Sequence, residues 1–176
     1  GQEKPKQIIK NAIQNSSLAH AYLFYGQESI GKKLIAFELA KTLNCVSLSN
    51  GEACDECSSC KKITNHTHPD FFYIEPTKST PAAREATIKI EVIRELQRKL
   101  IFQPYEGKVK VAVINDADFM NMQAANSFLK TLEEPPTSTI LILISSHPFK
   151  LLPTILSRCQ TILFQPLSPE NIKKIL

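Results

Sequence analysis

The sequence Gly-Gln-Glu-Ser-Ile-Gly-Lys-Lys, residues 26–33, is the most informative local pattern for the fold of this chain. It fits the phosphate-binding loop pattern G-x-x-x-x-G-K-[ST] at every position except the last. Gly26 and Gly31 let the backbone curl so that its N–H groups face a phosphate, and Lys32 would reach the β and γ phosphate oxygens. The residues before the loop are apolar like a buried strand, and those after it have the apolar spacing of a helix. This strand-loop-helix setting is the one that the motif requires.

Both positions that would hold Mg²⁺ in such a site are altered. Lys33 replaces the Ser or Thr whose hydroxyl binds the ion, and an ammonium group repels a cation. Asn115 follows a predicted strand where P-loop ATPases carry an Asp that holds Mg²⁺ through water. Asp116 comes one residue later and therefore points to the other face of that strand. We expect no Mg²⁺ here, whereas ATP or ADP binding without metal stays open, and Lys33 would then offset part of the phosphate charge. The alternative is that Asp116 and Asp118 only cap the next helix.

Composition limits the class of protein. The chain has 176 residues, enough for one domain of ordinary size, and 43% of them are hydrophobic. Its net charge of +4 is compatible with nucleic acid nearby but is far from a basic tail. We find no signal peptide, no lipidation motif and no apolar run long enough for a membrane span. We therefore expect a cytoplasmic protein with no membrane partner, in which cysteines bind metal rather than form disulfides.

A cysteine cluster follows the helix of the phosphate loop. Its members are Cys45, Cys54, Cys57 and Cys60, with the spacing C-x₈-C-x₂-C-x₂-C. Zinc takes four soft ligands at tetrahedral corners, and C-x₂-C turns deliver pairs of them. With four protein ligands no position is left for water, so we predict a structural zinc site.

Three alternatives compete with this assignment. An iron–sulfur cluster of the bacterial type needs a further Cys after three intervening residues, followed by Pro, and this chain has Lys61-Lys62-Ile63-Thr64 there instead. His66 or His68 could replace one cysteine as a ligand, although His68 precedes a proline and resembles a turn residue. The third alternative is four free cysteines.

Buried apolar strands alternate with amphipathic helices along the chain, which predicts an α/β fold with a mainly parallel sheet and helices on both faces. The predicted strands are residues 22–25, 71–74, 109–114, 140–144 and 161–164. The predicted helices are residues 6–13, 34–43, 90–100, 122–133 and 151–156, and residues 76–87 are predicted to be a loop.

We expect one P-loop domain over residues 1–165, with a zinc module at about residues 45–62 inserted after the phosphate-loop helix. Ser168-Pro169-Glu170 is typical of a helix start, with Ser at the N-cap and Pro at the first helical position. Residues 166–176 are therefore expected to begin a second, helical domain.

Several stretches together resemble a known family. They are Leu-Ala-His-Ala-Tyr-Leu-Phe at residues 18–24, Asn-Ser-Phe-Leu-Lys-Thr-Leu-Glu-Glu-Pro-Pro at 126–136, Leu-Pro-Thr-Ile-Leu-Ser-Arg-Cys at 152–159, and the four-cysteine module. The chain resembles the clamp-loader branch of the AAA+ ATPases, and within it the delta-prime family of bacterial DNA polymerase III. The resemblance covers nearly all of the chain.

This resemblance implies a function and partners. The second domain would be the family's helical lid, and Arg158 stands where the family has an arginine finger, which acts on an ATP held by a neighbouring subunit. We therefore expect Arg158 to be partly exposed and to form no fixed ion pair within the chain. The implied partners are the gamma/tau and delta subunits and, through the complex, the sliding clamp and primed DNA. An active subunit of this branch has Lys-Thr or Lys-Ser and Asp-Glu-Ala-Asp where this chain has Lys32-Lys33 and Asn115-Asp116-Ala117-Asp118. Both departures affect Mg²⁺, which fits a stator that has lost hydrolysis.

Two other functions compete with this one. The first is an ATP-hydrolysing motor subunit of the gamma/tau type, against which Lys33 and Asn115 argue. The second is a zinc-dependent nucleic-acid binder. Aromatic and basic residues are not interleaved around the cysteines as base stacking would require, so this function ranks last.

Overall fold

The computed structural model describes residues 2–78 and 85–166 of the chain. The helix start expected at Ser168-Pro169-Glu170 and nearly all of the expected second domain lie outside the described residues, as do residues 79–84 of the predicted loop. Within the described ranges, no helix is both long enough and apolar enough to cross a membrane.

The core of the fold is a five-stranded sheet in which every pairing between the described strands is parallel. The strands are β1 (Ala21–Tyr25), β2 (Phe71–Ile74), β3 (Lys110–Ile114), β4 (Thr139–Ser145) and β5 (Gln160–Leu163). Their order in the sheet is β2-β3-β4-β1-β5. The predicted α/β class and parallel sheet are confirmed, and each predicted strand differs from the observed one by no more than one residue at either end.

Helices cover both faces of the sheet. They are α1 (Glu3–Gln14), α2 (Lys32–Asn44), α3 (Ser58–Thr64), α4 (Ile90–Leu100), α5 (Met122–Glu133) and α6 (Pro153–Leu156). Alternate residues of β1 point to opposite faces, as the strand period of two requires. Tyr22 and Phe24 pack with α1, α2 and α3, whereas Leu23 packs with α4, α5 and α6.

Helix α3 was not predicted, because residues 58–64 are too few to show a helical apolar period. Its start is fixed by Cys57, whose sulfur accepts a hydrogen bond from the Cys60 N–H. The helix predicted over residues 151–156 is shorter than expected and spans Pro153–Leu156, preceded by a 3₁₀ turn at Pro148–Lys150. Pro153 explains the later start, since proline is favoured at the first helical position and disfavours helical backbone in the residue before it.

The parallel strands bring three loops to one edge of the sheet. The phosphate loop follows β1, the motif beginning at Asn115 follows β3, and Ser145-Ser146-His147 closes β4. Ligands of open α/β sheets bind at the carboxyl ends of the strands. The candidate phosphate site therefore lies at this edge.

Candidate functional site

Two glycines shape the phosphate loop. Gly26 has φ +146°, and a Cβ there would lie 2.3 Å from the carbonyl oxygen of Phe164, so a larger residue does not fit. Gly31 has φ +97° and stands at the N-cap of α2, a left-handed conformation that glycine adopts without steric cost. The loop is thus held against the residue that follows β5, and the helix starts directly behind it.

Lys32 is folded back into the loop. Its side chain is almost completely buried, and its Nζ donates hydrogen bonds to the Gly26 carbonyl at 2.7 Å, the Gln27 carbonyl and the Ser146 hydroxyl at 3.1 Å. Burial lowers the pKa of Lys32, and the nearby Asp116 carboxylate partly opposes this shift. The loop therefore holds one ammonium group at the carboxyl end of β1 and β4, where a phosphate would meet it.

Lys33 points away from this ammonium. Its Nζ lies 4.3 Å from the ring centroid of Tyr73 on β2 and 5.8 Å from that of Phe37 on α2. These are cation–π distances, so the side chain crosses the sheet face toward the edge strand. The hypothesis that Lys33 offsets phosphate charge therefore finds no support in its position. Residue 33 also contributes no oxygen ligand for Mg²⁺.

In the motif after β3, the first two side chains are hydrogen-bonded to each other. The Asn115 amide donates a hydrogen bond to the Asp116 carboxylate at 2.8 Å, and Asp116 has left-handed backbone angles. Burial raises the pKa of Asp116, as do Asp118 and Glu28, whereas Lys32 lowers it. An amide engaged with its own neighbour is a poor ligand for a hydrated Mg²⁺.

The alternative that Asp116 and Asp118 only cap the next helix is wrong. Asn121 caps α5, because its side chain accepts a hydrogen bond from the Ala124 N–H. Asp118 is buried and accepts a hydrogen bond from the Ser145 hydroxyl at 2.6 Å, and its other oxygen lies 3.5 Å from His147 Nδ1. Sequence reasoning missed this link between β3 and β4. The signal available was the polar Ser145-Ser146-His147 run directly after a buried strand.

The four cysteines of the predicted zinc module come together in space. Their sulfur atoms all lie within 4.8 Å of one another. The Cys45 sulfur is 3.5 Å from that of Cys54 and 4.0 Å from that of Cys57. A tetrahedron with metal–sulfur bonds of 2.3 Å has edges of about 3.8 Å, so the spacing fits one metal ion. Cys45 follows α2, and Cys57 and Cys60 lie at the start of α3, so these two helices position three of the four ligands.

Backbone N–H groups surround these sulfurs. The N–H groups of Cys54, Cys57 and Cys60 each donate to the sulfur of another cysteine, at 3.3 to 3.5 Å. Burial opposes ionisation of Cys57, but the N–H groups of Cys60 and Val46 hold its pKa at about 6. Burial raises the pKa of Cys60 to about 12. Because metals bind thiolates, ion binding here releases protons.

Neither histidine alternative joins the cysteine group. The His66 ring packs against Phe37 and Tyr73, with centroids 5.1 and 5.0 Å away. His68 is buried, and its Nδ1 accepts a hydrogen bond from the Asp70 N–H at 3.1 Å. Among the described residues, the group able to hold a metal consists of the four cysteines alone.

The loop before β3 anchors the cysteine module to the sheet. The Asn44 side chain, next to Cys45, accepts hydrogen bonds from the N–H groups of Lys108 and Val109 at 2.9 and 3.1 Å. Lys62 of α3 forms an ion pair with Glu106 at 2.8 Å. The module is thus attached through the last residue of α2 and through α3.

Asp70 holds the same loop from the other side. Its carboxylate accepts hydrogen bonds from the N–H groups of Tyr105, Glu106 and Gly107, at 2.7 to 2.8 Å. Burial alone would raise the pKa of Asp70, but these three N–H groups keep it below the ordinary value.

Arg158 follows α6 and is partly exposed, as expected, but it is not free of ion pairs. Its Nη2 donates to the Glu133 carboxylate at 2.6 Å, and its Nη1 donates to the Thr154 carbonyl at 2.9 Å. The expectation that Arg158 forms no ion pair within the chain is wrong. Glu133 ends α5, and the packing of α5 against α6 brings the two side chains together.

The sheet order, the phosphate loop and the motif after β3 define a P-loop domain of the AAA+ type. The chain matches over residues 1–168 the model of the family described as DNA polymerase III, delta subunit, and it belongs to that family. It is 39% identical to DNA polymerase III subunit delta' of Bacillus subtilis over 98% of this chain and 50% of that protein. It is 42% identical to subunit delta' of Pseudomonas aeruginosa over 80% of this chain and 42% of that protein.

Other similarities extend beyond the delta' proteins. Subunit tau of Bacillus subtilis is 35% identical over 98% of this chain and 29% of its own length. The chain thus spans half or less of the length of these three relatives.

A gamma-subunit-related protein of Thermotoga maritima superposes with a TM-score of 0.66 and 23% identity, over 93% of this chain and 46% of that one. The Thermotoga maritima RuvB branch migration motor gives a TM-score of 0.62 with 13% identity, over 99% of this chain and 49% of that one. Both structures support the fold alone.

Proposed function

We propose that this chain is the AAA+ domain of a delta-prime-type clamp-loader subunit that does not hydrolyse ATP. It helps to load the sliding clamp onto primed DNA in the cytoplasm, together with gamma/tau and delta subunits. The family match supports membership in the polymerase III assembly. The observation that carries the absence of hydrolysis is the residue at position 33. An active site needs a hydroxyl there to bind Mg²⁺, whereas Lys33 has an ammonium group that lies over the Tyr73 ring.

The charge balance at the loop supports this proposal. In phosphoryl transfer, Mg²⁺ bridges the β and γ phosphates and neutralises the charge that develops there. Of the two loop lysines, Lys33 lies over the Tyr73 ring, and the Lys32 ammonium is already bonded to two loop carbonyls and Ser146. The half-buried Asp116 and the buried side chain of Asp118 add negative charge close by. A nucleotide could still bind without metal, but the transition state would lack its main cation.

An ATP-hydrolysing motor subunit of the gamma/tau type is the second candidate. The 35% identity with a tau subunit over nearly the whole chain favours it. Lys33 and Asn115 distinguish the two candidates, because each occupies a position where hydrolysis needs a metal ligand.

The test is steady-state ATP hydrolysis by the purified full-length protein with saturating Mg²⁺. We expect turnover indistinguishable from the buffer blank, whereas a motor subunit assayed in parallel hydrolyses ATP. Turnover near the usual range of about 1–10³ s⁻¹ would assign the protein to the motor class instead.

Arg158 is proposed to act on the ATP of an adjacent subunit. An arginine finger acts on charge at the γ-phosphate and contributes about 10³–10⁵ in rate. Because its own phosphate loop lacks metal ligands, this chain has no use for such a residue in its own site. Arg158→Ala should sharply lower ATP turnover at the neighbouring site of the complete complex, while Arg98→Ala, an exposed arginine on α4, should not. Unchanged turnover with Arg158→Ala would remove the finger from the proposal.

The metal of the four-cysteine group is proposed to be a structural Zn²⁺. Four thiol donors at tetrahedral spacing suit zinc, and a full set of protein ligands leaves no site for water or substrate. We also propose that residues 1–165 form the P-loop domain and that residues 166–176 begin the helical lid.

A further inference from the structure

Glu133 contacts the one arginine to which the proposed function gives a role. Its Oε1 lies 2.6 Å from Nη2 of Arg158. Both side chains are partly exposed, at 50% for Glu133 and 33% for Arg158. Glu133 is the last residue of α5, so its backbone is fixed by a helix that packs on the sheet.

A second contact fixes the other terminal nitrogen of Arg158. Its Nη1 donates to the Thr154 carbonyl at 2.9 Å and lies 3.4 Å from the Ser157 hydroxyl. The guanidinium is therefore held at both ends, by a helix-bound carboxylate and by a backbone carbonyl. A guanidinium has five N–H donors, and these three contacts leave two of them for another acceptor. The Nε–H group has no acceptor among the described residues.

We propose that Glu133 is a positioning residue for Arg158. This inference rests on the proposed function, in which Arg158 reaches a phosphate of a neighbouring subunit. A long arginine side chain loses rotamer freedom when it docks, and a contact that orients it beforehand reduces that loss. The carboxylate fixes the plane of the guanidinium and leaves donors free for the incoming phosphate. The partial exposure of the pair makes it a modest orienting contact, not a buried structural one.

The magnitude follows from the class of contact. Exposed ion pairs change an equilibrium by a factor of up to about five. In the assembled complex of full-length subunits, the part of ATP turnover that depends on Arg158 is the difference between wild type and Arg158→Ala. Glu133→Ala should lower that part of kcat about two- to fivefold and leave KM for ATP unchanged. Glu133→Gln should fall between wild type and Glu133→Ala, because its amide oxygen still accepts a hydrogen bond but carries no charge.

Glu134→Ala is the matched control, since this exposed neighbour has no side-chain contact with Arg158 among the described residues. It should leave turnover unchanged. The decisive comparison is the double variant: Glu133→Ala should have no further effect in the Arg158→Ala background. Assembly is checked by size-exclusion chromatography, so that lost turnover is not lost complex.

The outcomes separate this inference from the proposed function. If Arg158→Ala has no effect, the arginine finger itself fails. If Arg158→Ala lowers turnover but Glu133→Ala leaves it unchanged or raises it, the finger stands and the positioning role is overturned. An equal loss from Glu133→Ala with and without Arg158 would also overturn it, because the effect would then be structural.

Discussion

Helix α2 connects the two metal-related regions of the molecule, which differ in what they retain. At its first residues lies a phosphate loop with two glycines in the required left-handed conformations, in which Lys33 replaces the residue whose hydroxyl would bind Mg²⁺. Immediately after its last residue stands Cys45, one of four sulfurs at metal-binding spacing. The ends of this 13-residue helix are about 20 Å apart. Loop shape and metal chemistry are thus separate properties of this fold, and we propose that the phosphate-loop end has kept only the first.

The two ends also differ in what holds them together. At the phosphate loop, Lys32 bonds to the loop carbonyls and Lys33 lies on aromatic rings, so protein contacts alone fix the backbone. At the other end, four sulfurs face one another, and the hydrogen bonds between these cysteines run from backbone N–H groups to sulfur atoms. We therefore expect metal removal to disorder the cysteine end and to leave the phosphate loop unchanged.

The largest effect should come from losing a cysteine ligand. Structural zinc sites have apparent binding free energies of about 10–16 kcal/mol at neutral pH, and Cys57→Ser removes one of four ligands. We expect the purified variant to lose its zinc and hydrogen exchange to speed up across residues 45–64, while the sheet stays protected. Zinc analysis and exchange mass spectrometry measure these changes.

Cys159→Ser is the control for this experiment. Burial raises the pKa of Cys159 to about 12, so it stays a thiol, and it lies outside the metal-binding group. Its replacement should leave the zinc content unchanged. Full zinc content in Cys57→Ser, or equal zinc loss in both variants, would contradict the assignment.

The next effect concerns the phosphate-loop end. Gly26→Ala places a Cβ 2.3 Å from the Phe164 carbonyl oxygen, at φ +146°. We expect the free energy of unfolding to fall by about 2–4 kcal/mol, measured by urea denaturation. Gly51→Ala is the control, because its φ of +78° is strained but no atom lies within 4 Å. It should cost about 1–2 kcal/mol. Equal losses would mean that the contact with Phe164 is not tight.

A smaller effect is expected where the cysteine end is anchored. Asp70→Asn weakens three hydrogen bonds to the loop before β3 and should lower the free energy of unfolding by about 1.5–3 kcal/mol at neutral pH. The pKa of Asp70 is held below 3.8, so the carboxylate stabilises the fold above that pH and loses its effect as the pH falls through its folded-state value. The difference between variant and wild type should therefore shrink below about pH 4. A difference independent of pH between 7 and 3 would exclude this role of the charge.

The smallest effect concerns Lys33. Lys33→Met keeps the aliphatic length but removes the charge over the Tyr73 ring, and should cost about 0.5–1 kcal/mol of folding free energy. Lys130→Met, at an exposed lysine of α5, should change stability less. Thermal denaturation of both variants gives the comparison, and identical melting temperatures would show that the ring contact contributes nothing.

Local patterns predicted the sheet, the order of the main helices and the cysteine cluster. These features follow from apolar periodicity and from C-x₂-C spacing, which act over a few residues. The direction of Lys33, the bond between Asp118 and Ser145, and the pairing of Glu133 with Arg158 were not predictable in this way. Each joins residues far apart in sequence or depends on which neighbour a long side chain meets after packing. Short helix α3 was missed because its seven residues are too few to show a helical apolar period.

We propose above all that this phosphate loop has lost its metal ligands and kept its shape. The direct test is calorimetric titration of ATP into the full-length protein, with Mg²⁺ and with EDTA, for wild type and for Lys33→Thr combined with Asn115→Asp. Mg²⁺ should not tighten ATP binding by the wild type, whereas it should tighten binding by the double variant at least about tenfold. Tighter binding by the wild type with Mg²⁺, or no gain in the folded double variant, would contradict the claim.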